Sequence, residues 1–147
     1  MESIFNTQTV NSIFNRIDKI DKNTQAIWGK MDAAQMFYHC QGPLNIMLQK
    51  KDYGLKPNWL MKILIKKSLY SDAPYRKNLP TIPAFKIVEP KDFKTEKKAL
   101  VELVKELYTQ KGKESWEPHP VFGYYTNEQW AKMQYKHLDH HLKQFGV

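Results

Sequence analysis

One cysteine, Cys40, occurs in 147 residues, so no intramolecular disulfide can staple this fold. Arginine is almost as scarce. Only Arg16 and Arg76 are present, and arginine is the preferred reader of base edges. The lysines are scattered through every segment, with no block or arm. Nucleic acid is therefore not an expected partner, despite a formal charge of +8 from 23 basic and 15 acidic side chains. A long apolar run is missing too. The most apolar stretch, WLMKILI from Trp59 to Ile65, is too short to span a bilayer and carries Lys62. The opening MESIFNTQTV lacks the basic-then-apolar order of a signal peptide. These absences lead us to expect a soluble cytoplasmic protein with no membrane partner.

What is present suits a folded globule: 41% apolar and 13% aromatic residues, in a length that fits one domain over residues 1–147. The apolar spacing is helical almost throughout. Val10, Ile13, Phe14 and Ile17 follow the i, i+3, i+4, i+7 template of a helix from about Thr7. A second helix should begin at Asp32, where Gln35 completes a capping box, and Pro43 should bend or interrupt it. Pro57 is placed to open a short third helix reaching about Leu69.

From Ser71 to Phe93 four prolines make a regular helix improbable, which predicts a long crossover connection. Periodicity returns near Thr95 with Leu100, Val101, Val104 and Leu107. A last helix should run from Thr126, again with capping-box spacing to Gln129, to about Phe145, with Gly146 as its stop. The pattern predicts an all-α four-helix bundle with a proline-rich connection and one short extra helix.

The most informative segment is KHLDHHLKQF in the last helix. At about 100° per residue, Lys132, Lys136, Asp139 and Lys143 share one side, with Trp130, His137 and His141 opposite. Two imidazoles at i and i+4 stand close enough to hold one ion. Leu138 occupies the place where a zincin needs glutamate, so that mechanism is excluded. His140 falls on the border between the faces. His39, on the flank of the second helix's apolar face, is either a third ligand or a buried histidine bonded to backbone. Cys40 reads as a small buried hydrophobe. His119 lies in the EPHPVFG connection, where it could line a pocket mouth or be exposed. Trp116, Phe122, Tyr124 and Tyr125 nearby are expected to cover the core. Gln134 and Gln144 flank the histidine stripe and are candidates to orient the imidazoles.

The segments WGKMDAAQMFYHC (Trp28–Cys40) and HPVFGYYTNEQWAKMQYKHLDHHLKQFGV (His119–Val147) resemble the DinB/YfiT-like superfamily of metalloenzymes, within one of its branches of unknown function. The resemblance spans most of the chain. It rests on one histidine in the second helix followed by H-x-x-x-H near the C-terminus. It implies a four-helix bundle, often a homodimer, that holds a divalent transition metal such as nickel or zinc. It places the ligand roles on His39, His137 and His141. It also implies a small-molecule substrate, with a low-molecular-weight thiol as co-substrate in some relatives. The proline-rich stretch between Ser71 and Phe93 departs from the transferase-like members.

Three imidazoles would leave at least one coordination position open, the pattern of catalytic sites. The leading expectation is a metal-dependent enzyme of hydrolase or thiol-transferase type, with no general base assigned. The rival is a non-catalytic helical dimer whose histidines belong to its core.

Overall fold

In the computed structural model, which describes residues 2–147, the chain forms helices α1 (Thr7–Asp18), α2 (Ala33–Met47), α3 (Trp59–Leu64), α4 (Lys66–Tyr70), α5 (Phe93–Thr109) and α6 (Asn127–Gln144). Among the described residues there is no strand, and the protein is all-α. Among those residues no helix is long and apolar enough to cross a membrane.

Each long helix starts where the sequence offers an oxygen to the free N–H groups of its first turn. Asn6 accepts from the Gln8 and Thr9 amides. Both expected capping boxes form. The Gln35 amide reaches the Asp32 carboxylate at 2.8 Å while the Asp32 amide reaches Gln35 Oε1 at 3.0 Å. Thr126 and Gln129 repeat the arrangement at 3.2 and 3.0 Å. Helix α5 opens at Phe93 instead of near Thr95, because Asp92 accepts from both the amide and the hydroxyl of Thr95.

The expected third helix is two helices, and Pro57 lies outside them. Asn58 takes the cap position and accepts from the Met61 amide at 3.0 Å. The run then breaks at Ile65, whose carbonyl receives both the amide and the hydroxyl of Ser68. A serine that bonds a nearby carbonyl competes with the regular ladder. Residues 71–92 form the irregular connection the prolines predict, with a 3₁₀ turn at Pro83–Phe85 that the sequence pattern does not suggest.

α2 packs along α5 and also meets α6, while α1 touches α5 and α6. Ile13 and Ile17 of α1, Phe37 and Leu44 of α2, Val104 and Leu107 of α5, and Trp130 and Leu138 of α6 join one core. An Arg16 guanidinium closes the α1–α6 side, donating to Asp139 Oδ1 at 2.9 Å and to the Val147 carbonyl at 3.0 Å.

Two side chains do not sit where the helical wheel and composition put them. Lys136, assigned to the charged face, is buried, and its amine donates to the Ser68 and Ser71 carbonyls at 2.6 and 3.0 Å. These carbonyls end α4, so the cation satisfies a helix terminus and gains from its dipole. Tyr124, expected to cover the core, is largely exposed, whereas Trp116, Phe122 and Tyr125 are buried.

Candidate metal centre

Helices α2 and α6 bring three histidines together. His137 and His141 stand one turn apart on α6, and His39 faces them from α2. Ring centroids lie 5.0 Å apart for His39 and His137, 4.6 Å for His39 and His141, and 4.7 Å for His137 and His141. One nitrogen from each falls within 4.8 Å of the others. His39 and His141 are buried and His137 is half-buried, so His39 lies deeper than its position on the helical wheel implies.

Hydrogen bonding fixes which nitrogen of each ring carries a lone pair. The Phe85 carbonyl can only accept, so His39 donates to it through Nδ1–H at 2.9 Å. Gln144 Nε2 donates to the Trp28 carbonyl at 2.7 Å, which turns Gln144 Oε1 toward His141. His141 Nδ1–H donates to that oxygen at 2.8 Å. Both rings therefore have a bare Nε2. His137 Nε2 sits 3.1 Å from His39 Nε2, and the bond between them requires the proton on His137. That leaves His137 Nδ1 buried without a partner, an arrangement that costs about 1–3 kcal/mol.

Burial keeps all three rings neutral. It lowers the pKa of His39, against a smaller opposing effect of the Phe85 hydrogen bond. It holds His137 well below the ordinary histidine range, and a proton on neighbouring His141, His39 or His140 would lower it further. It brings His141 down to about 3, with His39 adding to the shift and Gln144 opposing it. Neutral imidazole is the form that ligates a metal.

Two glycines make the supporting bonds possible. A Cβ on Gly42 would lie 2.7 Å from the Phe85 ring. This glycine lets the 71–92 connection sit against α2, so that the Phe85 carbonyl reaches His39. Gly29 adopts φ +83°, and a Cβ there would lie 2.5 Å from Gln144 Nε2. Pro43 follows Gly42 inside α2, and the ladder bond its missing N–H cannot make is the one to the His39 carbonyl. Sequence reasoning passed over both glycines and the Phe85 carbonyl. A glycine inside a helical pattern, as in QGP, costs about 1 kcal/mol against alanine, and that cost is the signal that could have pointed to a packing reason.

The other candidates separate clearly. Gln144 orients a ring of the cluster. Gln134 does not: its amide donates to the Pro43 carbonyl at 3.1 Å. His140 sits beside the cluster, its ring 5.1 Å from His141 and packed between Trp28 and Tyr75. His119 is buried in a separate aromatic group with Phe122, Tyr125 and Trp130, where its Nδ1 accepts from the Val121 and Phe122 amides. It also lines a surface cleft of about 460 Å³ with Trp59 and Lys62. Cys40 is buried with its thiol pushed up by desolvation, and its Sγ rests 3.6 Å from Met36 Sδ.

No curated protein and no solved structure matches the chain significantly. A family model covers residues 4–146, nearly the full length. With that coverage, the chain belongs to the DUF1569 family of proteins of unknown function.

Proposed function

We propose that this protein is a metal-binding four-helix bundle of the DinB/YfiT-like kind, built from α1, α2, α5 and α6. His39, His137 and His141 hold nickel or zinc. The observation that carries the reading is the convergence of two fixed Nε2 lone pairs on a third imidazole left with an unpaired buried nitrogen. With the His137 proton moved to its unpartnered Nδ1, both Nε2 atoms are free to ligate, and their 3.1 Å separation is close to the ~3.3 Å between tetrahedral ligands bound at ~2.0–2.1 Å.

Such an ion supplies Lewis acidity and lowers the pKa of a coordinated water or thiol. The chain's own residues do the positioning. Phe85 and Gln144 lock two imidazole tautomers, and Trp28, Tyr75 and His140 form an aromatic wall beside His141. The reaction classes this arrangement suits are hydrolysis and thiol-dependent transfer on a small molecule, with a low-molecular-weight thiol as co-substrate for the latter. We place the working form as a homodimer.

Untagged protein incubated with nickel or zinc and then desalted is expected to retain about one equivalent of metal. Retention below roughly a tenth of an equivalent sinks the reading. The second reading, a non-catalytic module with core histidines, draws on the His39–His137 hydrogen bond, and the same measurement decides between the two.

Supporting contacts give two further expected outcomes. Gln144→Ala removes the acceptor that fixes His141 and should weaken metal affinity about 10–100-fold by competition titration. Gly42→Ala forces Phe85 away from α2 and should weaken affinity by about tenfold, with helical circular dichroism unchanged. Wild-type affinity in both variants would remove these contacts from the site's design.

A further inference from the structure

The helix α3 buries none of its residues. Trp59 is 74% exposed, Leu60 50%, Ile63 68% and Leu64 68%. At about 100° per residue these four share one arc of the helix. Met61 falls on the opposite side, and Met61 and Ile65 pack against the core. The apolar arc therefore points away from the protein.

The stretch of chain that carries it is cationic, between Asp52 and Asp72. Between Tyr53 and Ser71 the sequence has four lysines, Lys56, Lys62, Lys66 and Lys67, and no acid. Lys66 sits below the ordinary lysine range, through burial first and the neighbouring Lys62 charge second. The Lys66 amine also donates to the Tyr124 carbonyl, which ties the 76%-exposed Tyr124 to the same end of the molecule.

Apolar surface of this kind marks an interaction site. A second copy of the chain fits it poorly. Six helical residues extend only ~9 Å, whereas a stable interface takes ~800 Å² from each partner. A two-fold contact would also set each lysine group against its own copy. An anionic lipid surface is complementary on both counts. It needs no shape match, it pairs the lysines with headgroup charge, and tryptophan and tyrosine favour its interface. A polar edge of lysines beside exposed tryptophan, leucine and isoleucine is the composition of helices that lie in that plane.

We propose that α3 docks the protein onto anionic membrane surfaces, with Trp59, Leu60, Ile63 and Leu64 entering the headgroup region and Lys56, Lys62 and Lys67 engaging lipid charge. The expectation of no membrane partner came from the shortness of the 59–65 run. That shortness excludes spanning and leaves lying on the surface open.

Sedimentation of the untagged full chain with lipid vesicles tests this. Binding to phosphatidylcholine vesicles containing about 30% phosphatidylserine should exceed binding to phosphatidylcholine alone by at least about tenfold, and should weaken with salt. The exposed-site variants Trp59→Ser/Ile63→Ser and Lys62→Glu/Lys67→Glu should each lose about tenfold or more, with helical circular dichroism and metal retention unchanged. Failure to bind anionic vesicles, equal binding to both compositions, or wild-type binding by both variants would overturn the proposal. A dimer that forms without lipid and is lost in the Trp59→Ser/Ile63→Ser protein would overturn it in favour of a second copy.

Discussion

His137→Ala and His141→Ala should each drop metal retention from about one equivalent to under a tenth, while the far-ultraviolet helical signal stays at the wild-type level. A three-ligand site that loses one imidazole keeps two, and two neutral nitrogens hold a borderline ion weakly. The fold should survive for a reason specific to this cluster. His137 carries a buried Nδ1 with no partner, so its removal relieves that cost in the metal-free protein and offsets the loss of its hydrogen bond to His39. Thermal denaturation separates the readings further. An ion bound only by the native state, at a hundred times its dissociation constant, adds about 2.7 kcal/mol of stability. Wild type should gain that shift with zinc or nickel, and neither variant should. If both variants instead lose helical signal without any metal-dependent difference, the histidines are core residues and the metal reading fails.

The parts of this protein that were legible in its sequence are those governed by local rules. The Asp32–Gln35 and Thr126–Gln129 boxes, the period of α1 and α6, and the helix-breaking prolines of 71–92 each act within a few residues. So does the i, i+4 pair of His137 and His141. What escaped depends on partners distant in the chain. Lys136 reads as a solvent residue on its own helix, and only the end of α4, some 65 residues away, supplies the carbonyls that bury it. His39 could not be separated from a bonded core histidine because its orienting acceptor, the Phe85 carbonyl, is a backbone atom 46 residues later. Gln134 and Gln144 looked alike beside the stripe. Only the fold makes one face His141 and the other the Pro43 carbonyl.

Acid should unfold this protein earlier than its carboxylates alone would. Burial lowers the pKa of His119 to about 4 and of His141 to about 3, from 6.5 in the unfolded chain. Below pH 6.5 the unfolded state therefore binds protons that the folded state refuses, and stability falls with pH. The stability is fully present above 6.5, declines through the window down to the folded values, and levels off beneath them. At pH 5, some 1.5 units into that window, each of these two histidines contributes a loss of about 2 kcal/mol. Together they remove about 4 kcal/mol from a total that is typically ~5–15 kcal/mol. His39 and His137 shift in the same direction and add to the loss. The lowered carboxylates Asp92 and Glu128 matter only at lower pH, so pH 5 isolates the histidines. The measurement is urea unfolding at pH 7.5 and pH 5 in the presence of a chelator, with unchanged m-values as the check on two-state behaviour. His119→Gln offers an amide oxygen to the Val121 and Phe122 amides but does not titrate, so it should shrink the pH difference by about 2 kcal/mol. A wild-type difference under about 1 kcal/mol would mean that the buried rings accept protons in place, through a rearrangement that opens them to water. With metal bound, the same acidification must also eject the ion, since protons and metal compete for the Nε2 lone pairs. The acid transition of the loaded protein should then be the steeper of the two.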